Sequence, residues 1–140
     1  MPTTFESKDK PLSKILEEVH NGTDQLPDFQ RGWVWDDGRI KSLIASITCS
    51  YPVGALMFLQ YGSKDIHFKY SAFTNTDVPE SVCPENLVLD GQQRLTSLYC
   101  SLYCEKPVPT TPERDKNKKL KLFYYLDIAK ITEENLFLCQ

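Results

Sequence analysis

One carboxylate, two amides and one guanidinium fall within Asp90-Gly91-Gln92-Gln93-Arg94, between two apolar segments. Leu87-Val88-Leu89 runs into this stretch, and Leu95, Leu98, Tyr99, Leu102 and Tyr103 follow at the spacing of one helix face. The pattern predicts strand, tight turn, helix. Gly91 permits a positive-φ turn, and the helix start behind it presents unpaired N–H groups and the positive end of the helix dipole. Such a turn has the chemistry of an anion site. In that reading Arg94 forks onto a phosphate, and Asp90 holds a metal ion or orders Arg94. The same spacing allows a structural reading, in which Asp90 caps the helix and Arg94 pairs with it at the surface.

The elements that would position this turn come from periodicity. Leu12, Ile15, Leu16 and Val19 share a helix face that opens at Pro11 and closes at Asn21-Gly22. That helix is expected at the sheet edge. Residues 26–35 alternate Phe29, Arg31, Trp33 and Trp35 against Asp28, Gln30 and Val34, and their Pro and Gly suit an extended loop. Asp36 or Asp37 offers an N-cap for a helix with Ile40, Leu43, Ile44 and Ile47 inward, ended by Tyr51-Pro52. Residues 54–59 are apolar without alternation, which predicts a central strand buried on both faces. Ile66, Phe68 and Tyr70 alternate with His67 and Lys69 as a half-exposed strand, and residues 71–86 read as a polar excursion. Residues 106–119 read as a surface connection, residues 120–128 as an alternating strand, and Thr132-Glu133-Glu134 as a helix start. The expected fold class is therefore α/β: a small mixed sheet with helices over 37–50 and 92–104 packed on it.

Composition limits the function. The 140 residues amount to one domain's worth of chain, and 41% hydrophobic and 25% charged residues are globular values. A net charge of -3 opposes a dominant polybasic surface, so any nucleic-acid contact would be local. The longest apolar run, residues 55–59, is too short to span a bilayer, and residues 1–10 lack the regions of a secretory signal, so a cytoplasmic protein is expected. Five cysteines, at 49, 83, 100, 104 and 139, form no Cys-x-x-Cys pair and indicate neither a disulfide framework nor a zinc ribbon. Cys100 and Cys104 share a helix face and read as core or half-buried thiols.

In order along the chain stand a Pro-x-x-Gln-Arg loop, a helix with Leu-x-x-Ser-Ile, a Pro-x-Gly before an apolar strand, and Asp-Gly-x-x-Arg before a helix. This order resembles ParB/sulfiredoxin-like domains. In detail, residues 26–35 and the Asp90 to Thr96 stretch resemble the hallmarks of the N-terminal domain of GmrSD-type modification-dependent restriction enzymes, over roughly residues 10–128. The resemblance implies one nucleotide pocket lined by Gln30, Arg31, Asp90, Gly91, Gln92, Gln93, Arg94 and Thr96. It also implies that the domain binds or hydrolyses a nucleoside triphosphate to gate action on modified DNA, with residues 1–140 a single domain ahead of a nuclease or other effector region. On that chemistry Arg31 and Arg94 hold phosphates, Gln92 or Gln93 orients a water, and Asp90 takes a Mg²⁺. No Walker loop is present. His20 and His67 form no His-Asn-His arrangement, so no nuclease activity is expected of this chain alone.

Other residues carry two readings each. Trp33 and Trp35 would stack a DNA base or cover the core, and Lys118 and Lys119, among the lysines 116–121, would touch DNA phosphate or form a solvated connection. His20 reads as a dipole partner at a helix end and His67 as a solvent-facing strand residue. Two functions from different classes follow: an NTPase coupled to sensing modified DNA, and a module that binds nucleotide or DNA phosphate without hydrolysis. Sulfiredoxin-like redox chemistry ranks behind both, because no cysteine occupies the turn. Arg94→Ala is expected to weaken nucleotide binding and spare the fold.

Overall fold

The structure is a computed structural model that describes residues 5–62 and 67–132. Its centre is a four-stranded mixed sheet in the order β2-β4-β1-β3, formed by Met57–Gln60, Asn86–Asp90, Asp24–Pro27 and Tyr70–Ser71. β1 and β4 run parallel, while β2 on β4 and β3 on β1 are antiparallel. Leu87 and Val88 on β4 have no exposed surface, as expected of an apolar run with neighbours on both sides.

The helices follow the apolar faces seen in the sequence. α1 (Leu12–Asn21) buries Leu16 and Val19 and ends at Gly22, whose φ of 79° gives the left-handed C-terminal cap. It packs against β1, an interior strand, rather than at the sheet edge. α2 (Asp37–Thr48) is capped by Asp36, which accepts from the Arg39 N–H at 3.0 Å, and buries Ile40, Leu43 and Ile44. α3 (Gln92–Leu98) runs without a break into a π-helical turn, Tyr99–Tyr103, and the two together fill the predicted 92–104 helix up to Cys104, whose backbone is extended.

Several expectations are corrected. The 54–59 run is a strand only from Met57 onward, and it lies at an edge with Met57 48% exposed. Before the strand, Ala55 gives its carbonyl to Arg94. The half-exposed strand narrows to Tyr70–Ser71; Phe68 and Lys69 are exposed coil, and Ile66 lies outside the described residues. The 106–119 connection contains β5 (Val108–Thr110), which pairs antiparallel with β6 (Leu120–Leu122) and buries Val108. β6 is therefore shorter than the predicted 120–128 strand. Tyr124 instead donates to the Asp37 carboxylate at 2.9 Å, and Ile128 opens α4 (Ile128–Thr132). The helix start predicted at Thr132 thus comes earlier, and Glu133 and Glu134 lie outside the described residues. In the 71–86 excursion Phe73 reaches the core.

β1 also brings a carboxylate inside. Asp24 is fully buried; its Oδ1 accepts from Asn86 at 2.9 Å, and its Oδ2 has no hydrogen-bond partner among the described residues. Burial pushes the carboxyl above its usual range, and the nearby Glu18 adds to the rise against the Asn86 and Lys10 contributions. A carboxyl whose folded pKa is raised binds more protons when folded, so it subtracts stability as pH climbs from the unfolded value near 3.8 through the folded one. Asp24→Asn should remove that loss, leaving a variant more stable than wild type at neutral pH and the difference shrinking on acidification. Chemical denaturation across pH 3–7 measures it, and a parallel pH dependence in the two proteins would contradict the assignment.

Candidate functional site

Arg94 rises from the first turn of α3 and folds back on the segment that leads into β2. Its Nη1 donates to the Val53 carbonyl at 2.5 Å and its Nη2 to the Ala55 carbonyl at 2.9 Å. The fork straddles Gly54, where φ is 93° and a Cβ would stand 2.3 Å from Nη1. Gly91, at φ 88°, is the cap position of α3, and a Cβ there would meet Leu56 at 2.3 Å. Both glycines are required because backbone and guanidinium approach where side chains would collide. Asp90 therefore does not cap the helix. Its carboxylate lies 3.7 Å from Arg94 Nη2 with its side chain 73% exposed, a pair worth at most about 1 kcal/mol. Carbonyl dipoles, rather than Asp90, are the main partners of this cation.

The amides next to Arg94 hold the aromatic loop. Gln92 donates to the Arg31 carbonyl at 2.8 Å, and Gln93 donates to the Gly32 carbonyl at 3.1 Å while accepting from the Val34 N–H at 3.0 Å. From the other side, Gln30 donates to the Val88 and Leu89 carbonyls at 2.8 and 2.9 Å, at the end of β4. Trp33 donates its indole N–H to Ser97 at 3.0 Å, and Ser97 donates to the Gln93 carbonyl. Residues 30–34 are thereby laid across the start of α3. Gln92 and Gln93, one of which is expected to orient a water, each give a side-chain N–H to a loop carbonyl.

Loop and turn enclose a cleft of about 430 Å³. Arg31, Asp90 and Arg94 line it together with the rings of Phe29 and Trp35, and Gln30, Gly91, Gln92 and Gln93 complete its wall. Arg31 is exposed. Of the predicted pocket residues only Thr96 lies elsewhere: helical periodicity turns it into the core, 1% exposed. The DNA-contact candidates do not converge. Trp33 and Trp35 both pack partly buried against the core, while Lys118 and Lys119 are exposed in the connection between β5 and β6. His20 sits at the end of α1 as predicted and also meets the Tyr99 hydroxyl at 2.9 Å; His67 is exposed. Cys49, Cys83, Cys100 and Cys104 are free, and burial pushes the Cys100 thiol up to about 12.

Residues 12–137 match the GmrSD restriction endonuclease N-terminal domain. The chain belongs to that family. It is also 30% identical over 132 residues to an uncharacterized protein of Methanocaldococcus jannaschii, covering 91% of this chain and 22% of that protein. The chain thus spans about a fifth of the length of the curated relative it matches. No solved structure matches it.

The signal for the Arg94 contacts was present in Pro52-Val53-Gly54-Ala55, but a Pro-x-Gly does not name its partner. The GmrSD-type turn is here a structural clamp, so Arg94→Ala carries a stability cost beyond that of the exposed Asp90 pair expected from the sequence. Loss of the two guanidinium bonds, one of them exposed, should cost about 1.5–3 kcal/mol of stability. Gly91→Ala should cost about 1–2 kcal/mol from the left-handed backbone alone, with more from the Leu56 contact. Urea denaturation of the two variants tests both values, and wild-type stability in Arg94→Ala would dismiss the clamp.

Proposed function

We propose that this chain is the nucleotide-binding sensor domain of a modification-dependent restriction protein, with the phosphates of an NTP bound beside the Asp90 to Arg94 turn. The observation that supports it most is that two guanidinium groups from distant segments, Arg31 and Arg94, line one cleft with an exposed carboxylate and two aromatic rings. Phosphate recognition needs charge neutralisation by positioned donors. Arg94 commits two of its N–H groups to carbonyls and keeps the others for a ligand. Arg31 is free to close on a phosphate while its backbone is anchored by Gln92. Phe29 and Trp35 offer faces to a base.

Mg²⁺ fits this site on one condition. Among the described residues no group of three or more His, Cys, Asp or Glu could hold a metal ion, so Asp90 would bind Mg²⁺ only together with phosphate oxygens and water. Bound there, the ion would supply further neutralisation of phosphate charge. The protein's own part is to hold Asp90 and Arg94 on the turn and Arg31 on the loop that Gln92 anchors beside it.

Within the same reading residues 1–140 form one domain that reports nucleotide occupancy to a downstream nuclease, with modified DNA as the wider target and exposed Lys118 and Lys119 as contacts to its phosphates. No helix among the described residues is long and apolar enough to cross a membrane. A second reading, binding without hydrolysis, is favoured by one observation: Gln92 and Gln93 each give an N–H to a loop carbonyl, which ties both side chains to the scaffold.

Calorimetric titration of ATP, GTP, CTP and UTP with Mg²⁺ into wild type and Arg31→Ala tests the site. At least one NTP should bind, and the variant should bind it about tenfold to a hundredfold more weakly at unchanged melting temperature, as expected for a lost charge-assisted contact. Absence of binding, or equal affinity in the two proteins, would refute it. Phosphate release in the same mixtures separates hydrolysis from binding alone.

A further inference from the structure

A second cleft, of about 610 Å³, lies at the opposite end of the helix that Arg94 begins. One wall is the π-helical turn, closed by the Cys104 N–H on the Tyr99 carbonyl at 2.9 Å. Such turns are rare and concentrate at functional sites. Here the turn stacks Tyr99 on Tyr103 at 5.8 Å and 25°, and His20 from α1 leans on Tyr103 at 5.2 Å. Tyr99 is buried and anchored through its hydroxyl to His20 Nδ1 at 2.9 Å, whereas Tyr103 keeps 39% of its surface exposed. Burial pushes the Tyr99 hydroxyl up to about 12. Asn75, on the rim, holds a φ of 66°, a strained backbone for a residue other than glycine, and is tied by its amide to the Pro107 carbonyl at 3.1 Å.

The mouth is charged. Asp77, with its side chain 80% exposed, pairs there with Lys106, and Glu105 adds a second carboxylate. An exposed pair of this kind contributes little to stability and exchanges readily for ligand contacts. The chemistry is selective: the exposed part of the Tyr103 ring extends the Tyr99 stack to a further flat ring, a carboxylate accepts from an exocyclic amino group, and an ammonium meets a phosphate. Phosphate alone would be repelled by the two carboxylates. A guanidinium would meet Lys106.

We propose that this cleft binds an unstacked nucleobase carrying an exocyclic amino group, of cytosine or adenine type, with the base on Tyr103, its amino group at Asp77 and its phosphate at Lys106. The site shares no lining residue with the Arg94 cleft and stands or falls apart from it.

Fluorescence anisotropy of labelled oligodeoxycytidylate, oligodeoxyadenylate and oligothymidylate on the 140-residue chain at constant low salt tests this. The cytosine and adenine strands should bind about tenfold more tightly than the thymine strand, which lacks the amino group. Tyr103→Leu should weaken all three about tenfold through lost stacking. Asp77→Ala should remove the preference, and Lys106→Gln should weaken all three strands. Competition by deoxycytidine monophosphate then distinguishes a strand from a free nucleotide as the source of the base. Equal affinity for the three strands would overturn the proposal, as would wild-type binding by Tyr103→Leu and Lys106→Gln with unaltered melting temperatures.

Discussion

A single guanidinium ties together segments that the chain keeps far apart. Arg94 bridges the carbonyls of Val53 and Ala55, and this sets where β2 approaches the turn after β4. The contact is possible only because residues 54 and 91 lack side chains. A charge-assisted bond to a carbonyl tolerates little displacement, so the positions of Gly54, Gly91 and the first turn of α3 are coupled. The amides of Gln92 and Gln93 extend the coupling to residues 31–34. The Asp90 to Arg94 turn is thus a hub in which each polar side chain except Asp90 fastens backbone from elsewhere in the chain, Gln92 and Gln93 the 31–34 loop and Arg94 residues 53 and 55.

That arrangement bears on how the domain would sense a ligand. Arg31 belongs to a loop held by side-chain amides rather than by a strand ladder, and loops held this way sit at the low end of local stability. A phosphate bound between Arg31 and Arg94 would act on both the loop and the fork that reaches β2. Site and scaffold are then one network. Asp90, exposed and only weakly paired, is the member of the turn with the least structural work.

Much of this was legible in the sequence, and the failures share a cause. The faces of α1 and α2 are read correctly because helical periodicity is local, and β4 because an apolar run ending in Asp-Gly leaves few alternatives. The apolar run at 54–59 misleads because Gly54 and Ala55 serve Arg94, whose partnership is non-local, and because edge and central strands can look alike when short. β5 is invisible for a similar reason: Val108-Pro109-Thr110 is turn-like by composition, and only its pairing with Leu120–Leu122 makes it a strand. The π-helical turn leaves no periodic trace, since Tyr99 and Tyr103 sit at a spacing that an α-helix also allows. For the candidate site, residue types and order located the cleft. They did not reveal that its amides point at backbone.

Side-chain amides of the turn hold the 30–34 loop in place. Hydrogen exchange followed by mass spectrometry, comparing wild type with Gln93→Ala, tests it most directly. Exchange should be faster in peptides spanning the loop, including the Val34 amide that Gln93 accepts from, with β4 peptides as protected as in wild type. Unchanged exchange in the loop would contradict it.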